Sequence, residues 1–305
     1  MVLNYANPDP PMCDPGSLEP SESGLIACRP LAGSRGAEMH RSGRLPRPWV
    51  RVGPILLGVL LVLSTLPVSS MPPAVAAAAD LRFALPEVAR RFQEETGLEL
   101  RLSFGSSGNF RRQIAQGAPF ELFLSADEDY VFALADAGLT RDRGVLYAVG
   151  RLVLFVPNGS DLVLDPALAD LPELLQDGRR GRFAIANPAH APYGRAAREV
   201  LRSLALWEQV RPHLVLGENA AQAGQFAWSG STLGGLIPYA LALAPEVSQR
   251  GRFVLIPQPL HRPLRQRMVL IRGAGEVAQR FHAYLQTPQA REVLARYGFL
   301  LPGER

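Results

Sequence analysis

The stretch Ser103–Gly117, "SFGSSGNFRRQIAQG", decides how the chain is read. It has the form of a strand end, a small polar turn, and a helix closed by glycine. The turn, Gly105 to Asn109, holds two serines and two glycines and carries no charge. Two physical accounts fit it. Small residues make turns, and Ser or Asn caps a helix by accepting from its orphan N–H groups. Alternatively, the turn holds an anion. The first turn of a helix offers unpaired N–H donors and partial positive charge, glycines let a ligand approach the backbone, and hydroxyls add donors. The stretch alone leaves both accounts open.

Working outward, the same strand-to-helix design recurs. Upstream, "PAVAAAADL" (Pro73–Leu81) is a small-residue strand running into a turn. "LPEVARRFQEETG" (Leu85–Gly97) is an amphipathic helix with Pro86 in its first turn and Gly97 at its end. "LELRLSF" (Leu98–Phe104) alternates as a strand does. Downstream, "FELFLSA" (Phe120–Ala126) is a strand, and "DEDYVFALADAG" (Asp127–Gly138) opens with acids and ends with Gly, as a helix should. This alternation predicts a parallel α/β layout.

Further strands are expected at Arg151–Pro157, Arg182–Pro188, His213–Asn219, Arg252–Gln258 and Gln266–Gly273. The longest amphipathic helix is expected over Tyr193–Val210, with another after Asn219 and two more before Pro302. Strands hand over to helices at Ala78–Asp80, Gly105–Asn109 and Asn219–Ala221, and through a longer turn, "NPAHAPYG", at Asn187–Gly194. Open α/β sheets bind ligands at the carboxyl ends of their strands. Helix N-termini converging there form an uncharged cage of donors, suited to a small, fully ionised oxyanion.

Composition narrows the alternatives. The chain has 305 residues, and all 32 of its basic residues are Arg. The net charge of +4 is spread along the chain, without the basic patch or motif of a nucleic-acid binder. Both cysteines, Cys13 and Cys28, lie near the N-terminus, so residues 71–305 have no disulfide, thiol nucleophile or Cys-based metal site. Residues 1–70 read as an irregular preface plus a signal peptide. Arg44, Arg47 and Arg51 precede an apolar core at about 54–68, and Ser69 and Ser70 follow it. No Ser-His-Asp spacing, catalytic carboxylate pair or phosphate loop is present.

Taken in order, "AAAADL", "FGSSGNFRRQIAQGAPFELFLSA", "RLVLFVPN", "IANPAHAPYGRAAREVL", "GENAAQAGQF" and "ARYGFLLP" resemble the periplasmic molybdate-binding proteins of ABC transporters, from about Val75 to Pro302. The resemblance implies the two-lobed α/β fold of class II periplasmic binding proteins, with the ligand in the cleft between the lobes. One lobe would comprise residues 75–151 and 266–302, and the other residues 152–265. It implies a monomeric receptor, not an enzyme, that needs no cofactor. Molybdate or tungstate would be its ligand and an ABC permease its partner.

Carried over position by position, the resemblance places the oxyanion site at Asp80, Ser106, Ser107, Tyr193 and Ala220, with Ser107 the main contact. Molybdenum would be held only as its oxyanion. A further family position falls on Pro238, where some members carry Tyr, and Pro offers neither N–H nor hydroxyl. Asp80 stands where some members have Ser. Its carboxylate is expected to turn away and cap the following helix, leaving its N–H to the ligand. His190 reads as a surface turn residue, and Arg111 and Arg112 as solvated. Sulfate, thiosulfate or phosphate remain alternative ligands of the same class. A serine-dependent hydrolase using Ser106 or Ser107 is the alternative of another class, but no base stands at a readable spacing.

The n-region and apolar core predict export. Mass spectrometry of the periplasmic fraction should show a new N-terminus close to Met71, and an intact cytosolic chain retaining residues 54–70 would count against it.

Overall fold

In the computed structural model, residues 71–176 and 181–303 are described. The expected preface and signal peptide lie outside them. Among the described residues, no helix is long and apolar enough to cross a membrane.

Strand β1 (Ala74–Ala78) is fully buried, and its small side chains let helices pack on both faces of the sheet. A single 3-10 turn, Ala79–Leu81, follows it and leads into α1 (Ala84–Thr96). Gly97 ends α1 in the left-handed region at φ 71°, and its N–H bonds to Gln93. Next come β2 (Arg101–Gly105), α2 (Ser107–Ala115), β3 (Leu122–Ser125), α3 (Glu128–Asp136) and β4 (Val145–Gly150). A single residue, Arg151, separates β4 from β5 (Leu152–Pro157).

The second half of the chain begins with α4 (Leu171–Gln176), β6 (Phe183–Ala186) and α5 (Pro192–Ser203). It continues with α6 (Trp207–Val210), β7 (Leu214–Gly217), α7 (Ala220–Trp228) and β8 (Gly235–Pro238). Short helices α8 (Tyr239–Ala242) and α9 (Pro245–Ser248) lead to β9 (Gly251–Leu255). The chain then runs through β10 (Leu264–Leu270), α10 (Glu276–Tyr284) and α11 (Pro288–Arg296).

These strands form two five-stranded sheets, ordered β2-β1-β3-β10-β4 and β7-β6-β8-β5-β9. The orders match slot for slot. In each sheet four strands run in one direction, and one, β10 or β5, runs antiparallel to its neighbours. The sheets are therefore mixed, not wholly parallel as the sequence pattern predicts. The antiparallel slots are filled by β5 and β10, which enter each sheet directly from the other lobe. In the first lobe, Phe92 of α1 packs edge-on against Phe281 and Tyr284 of α10, so the C-terminal helices lie on the first sheet. In the second lobe, the apolar run of β5 packs with Phe183, Ile185, Val200 and Leu201.

Two further expectations are corrected. β4 has no counterpart in the sequence reading. The long helix expected over Tyr193–Val210 breaks after Ser203. There Ala205 adopts φ 58°, and its N–H and that of Leu206 close back on the carbonyls of Arg202 and Leu201, which stops the helix.

α5 lies so close to the end of β6 that a Cβ on Gly194 would stand 2.2 Å from the Ala186 carbonyl oxygen. Both partners are backbone and neither can rotate away. Gly194→Ala should therefore cost about 1–3 kcal/mol in urea unfolding, and an unchanged midpoint would show that α5 can lift off the strand.

Candidate anion-binding site

The carboxyl ends of β1, β2, β6 and β7 each hand over to a helix or helical turn, and these turns face one another across the lobes. Asp80, Ser106, Ser107, Tyr193 and Ala220 line a single small cavity there. The rest of its wall is Ala, Gly and Pro, and no Arg or His lines it. A larger cleft nearby, between Asp127, Glu128, Arg195 and Arg262, has its charges already paired, Arg195 with Asp127 and Arg262 with Glu199.

Each donor in the small cavity has a local cause. Ser106 is the N-cap of α2 and its Oγ accepts from the Asn109 N–H at 3.4 Å. Ser107, fully buried, begins the helix, and its Oγ accepts from the Ala126 N–H at 3.0 Å. That bond fixes the oxygen and leaves the hydroxyl proton free to donate. Asn219 caps α7, its Oδ1 accepting from Ala221 and Gln222 at 3.0 Å each, which leaves the Ala220 N–H outside the cap. Pro192 starts α5 and puts Tyr193 in the first turn. Among the described residues, the backbone N–H groups of Ser107, Tyr193 and Ala220 donate to no protein acceptor. First-turn N–H groups have no intrahelical partner, so the cavity collects them.

Asp80 departs from expectation. Its side chain caps neither the 3-10 turn nor α1. The turn leads straight into the helix, and the polar group within reach belongs to β10. Oδ2 accepts from Gln266 Nε2 at 2.5 Å, and the same nitrogen reaches the Tyr193 hydroxyl at 3.2 Å. Gln266 is held in turn by the Tyr147 hydroxyl of β4, which donates to Oε1 at 2.6 Å. Burial pushes the Asp80 carboxyl up from 3.8 to about 6, against the lowering pull of Gln266, Tyr193 and the N–H groups of Asp80 and Leu81. Burial, reinforced by Asp80, holds the phenols of Tyr193 and Tyr147 well above the ordinary range.

Comparison with known proteins fits this geometry. The profile of the bacterial extracellular solute-binding proteins matches residues 73–300. The chain belongs to that family. It is 34% identical over 254 residues to the molybdate-binding protein ModA of Rhodobacter capsulatus, covering 82% of this chain and 96% of the relative. The solved periplasmic molybdate-binding protein of Azotobacter vinelandii superposes with a TM-score of 0.68 at 28% identity, over 75% of this chain and 99% of that one. The sulfate-binding protein SubI of Mycobacterium tuberculosis shares the fold, with a TM-score of 0.63 at 17% identity over 77% and 88% of the two chains. The fold is thus the two-lobed α/β fold of periplasmic binding proteins. The family is one of transport receptors, not enzymes.

In this solute-binding protein two residues near the cavity escape a sequence reading. His190, expected at the surface, is 8% exposed. Its Nδ1 lies 3.0 Å from Ser106 Oγ, its Nε2 lies 3.4 Å from Glu218, and its carbonyl accepts from the Gly108 N–H at 3.0 Å. Asn109 Nδ2 reaches Glu218 Oε1 at 2.5 Å. These contacts join the start of α2 in one lobe to the turns before α5 and α7 in the other. A base does stand beside Ser106, which spacing alone could not show. That serine is nevertheless a helix cap, and the ring turns Nδ1 toward it. Gln266 is the second residue missed, since a lone Gln in an apolar strand carries no motif. Tyr239, adjacent to Pro238, points away and lies under the Arg151 guanidinium. Among the described residues, no group of three or more His, Cys, Asp or Glu is placed to hold a metal ion.

A carboxyl raised by burial stabilises the fold fully below its unfolded value of 3.8 and loses that contribution as pH rises through about 6. The stability of Asp80→Asn relative to the parent should therefore grow by roughly 2–3 kcal/mol between about pH 4 and about pH 7. Denaturant unfolding of the ligand-free pair across that range measures it, and a constant difference would place the carboxyl at its ordinary value.

Proposed function

We propose that the protein is an extracytoplasmic receptor that captures molybdate, and tungstate with it, and delivers the anion to the permease of an ABC transporter. The supporting observation is the convergence of Asp80, Ser106, Ser107, Tyr193 and Ala220, drawn from both lobes, on one cavity without a cation. A tetrahedral dianion is neutralised there by hydroxyls and first-turn N–H groups, whose dipoles are already oriented and need no countercharge. The names of the relatives support molybdate as the ligand. In this reading residues 75–151 with 266–302 form one lobe and residues 152–265 the other. Closure brings Ser106 and Ser107 toward Tyr193 and Ala220. The signal peptide at about 54–68 takes the chain across the membrane.

A second reading keeps the receptor and changes the anion to sulfate, thiosulfate or phosphate. Within it, Asp80 favours phosphate, because a carboxylate acceptor suits an oxyanion carrying its own proton, which sulfate and thiosulfate lack. Titration calorimetry with molybdate, tungstate, sulfate, thiosulfate and phosphate separates the readings. Nanomolar-to-micromolar binding of the first two, with the others far weaker, is the expected result.

Ser107→Ala removes one charge-assisted hydrogen bond to the dianion, worth on the order of 1.5–3 kcal/mol. Molybdate affinity should fall about ten- to a hundredfold. The variant also leaves the buried Ala126 N–H without its acceptor, so the ligand-free protein should lose about 1–2 kcal/mol of stability. Lost stability with unchanged affinity would show that Ser107 serves the fold alone.

A further inference from the structure

The polar network behind the cavity contains one oxygen without a donor. Asp80 is 1% exposed and Oδ2 is engaged by Gln266, but Oδ1 has no hydrogen-bond partner among the described residues. Asp80 is one of the residues lining the cavity that collects the N–H donors, and that lining has no Arg or His to neutralise its carboxyl. A carboxylate beside a dianion is repelled by it. The same carboxyl with a proton is a donor like the serines around it.

The groups facing Asp80 offer no other source of positive charge. From α5 and β4 come the phenols of Tyr193 and Tyr147. α7, packed against the Ala79–Leu81 turn, has no charged residue, and the only titratable side chain of α8 is Tyr239, which lies under Arg151. The charged residue of β2, Arg101, is exposed at the far end of that strand. Arg82 lines a separate pocket with Glu246 and Arg250. His190 stands one step away, beyond Ser106 and next to Glu218.

We propose that Asp80 is the proton-holding group of the anion cage: a fully ionised dianion enters together with one proton, which is taken from solvent onto the Asp80 carboxyl and donated from it to an anion oxygen. This rests on the reading of the cavity as a tetrahedral-oxyanion site. No bond to the anion is made or broken, and the proton returns to solvent on release. Burial already lifts this carboxyl to about 6, and an adjacent dianion lifts it further. Hydrogen phosphate differs from molybdate, tungstate and sulfate in bringing its own proton. It can donate to the Asp80 carboxylate, so its binding takes up none. pH thereby becomes a discriminator between two kinds of anion that differ little in shape.

The test is calorimetric titration of the mature chain with molybdate, tungstate, sulfate and phosphate, in buffers of different ionisation enthalpy. Between about pH 7 and about pH 8, each bound molybdate, tungstate or sulfate should take up close to one proton, with its affinity falling about tenfold, whereas bound hydrogen phosphate should take up none. Asp80→Asn should abolish both the uptake and the pH dependence, whereas His190→Asn should keep them. Tight binding of molybdate, tungstate or sulfate without proton uptake overturns the proposal and leaves the receptor reading standing. So does uptake that survives in Asp80→Asn or vanishes in His190→Asn. Should Asp80→Asn fail to fold, the parent and His190→Asn titrations decide alone. If none of the four anions binds at any pH, the receptor reading falls and this inference with it.

Discussion

A helix cannot satisfy its own first N–H groups, and that constraint organises this molecule. Three strand-to-helix turns leave such donors unpaired at Ser107, Tyr193 and Ala220, and a fourth turn brings Asp80 to the same place. Buried donors without acceptors are costly, so an anion placed among them is held by groups that the fold has already oriented. The two-sheet topology makes this possible. In both sheets the parallel strands run with their carboxyl ends toward the cavity, and the antiparallel slot is taken by the strand that has just crossed between lobes.

The crossing strands do more than connect. Gly150, the last residue of β4, has the Tyr193 hydroxyl and the Gln266 amide where a side chain would begin, at 2.2 and 2.7 Å from the position of a Cβ. Tyr147 and Gln266, on the two strands that reach the crossing, hold Asp80 and Tyr193 from behind. The strands at the crossing and the residues of the site are therefore joined in one hydrogen-bonded unit.

On the opposite side, the lobes meet through short-range polar contacts. The Gly108 N–H donates to the His190 carbonyl, and a Cβ at Gly108 would lie 2.6 Å from that oxygen. The glycine in the opening turn is thus explained by the other lobe as much as by ligand approach. The two accounts of that turn also prove compatible, because the labour is divided between neighbours. Ser106 caps the helix, while Ser107 is anchored by Ala126 with its proton free.

Much was legible in the chain itself. Strand-to-helix punctuation, the glycine stops at Gly97 and Gly138, and the capping residues Ser106, Asp127 and Asn219 are local chemistry, written within a few residues of where they act. The ordered set of motifs added which turns would share a ligand. The antiparallel strands were not legible, because an apolar run such as Leu152–Pro157 is the same in either direction and only its neighbours decide. Nor was the fate of Asp80. A local rule sends an acid before a helix to cap it, yet the partner that captured it, Gln266, lies 186 residues away. His190 likewise reaches Ser106 across a separation of 84. Sequence determined which donors exist and where each helix begins. Which donors face one another, and which carboxyl is buried among them, was decided only by how the two sheets pack together, since burial and desolvation are properties of that packing and of no single segment.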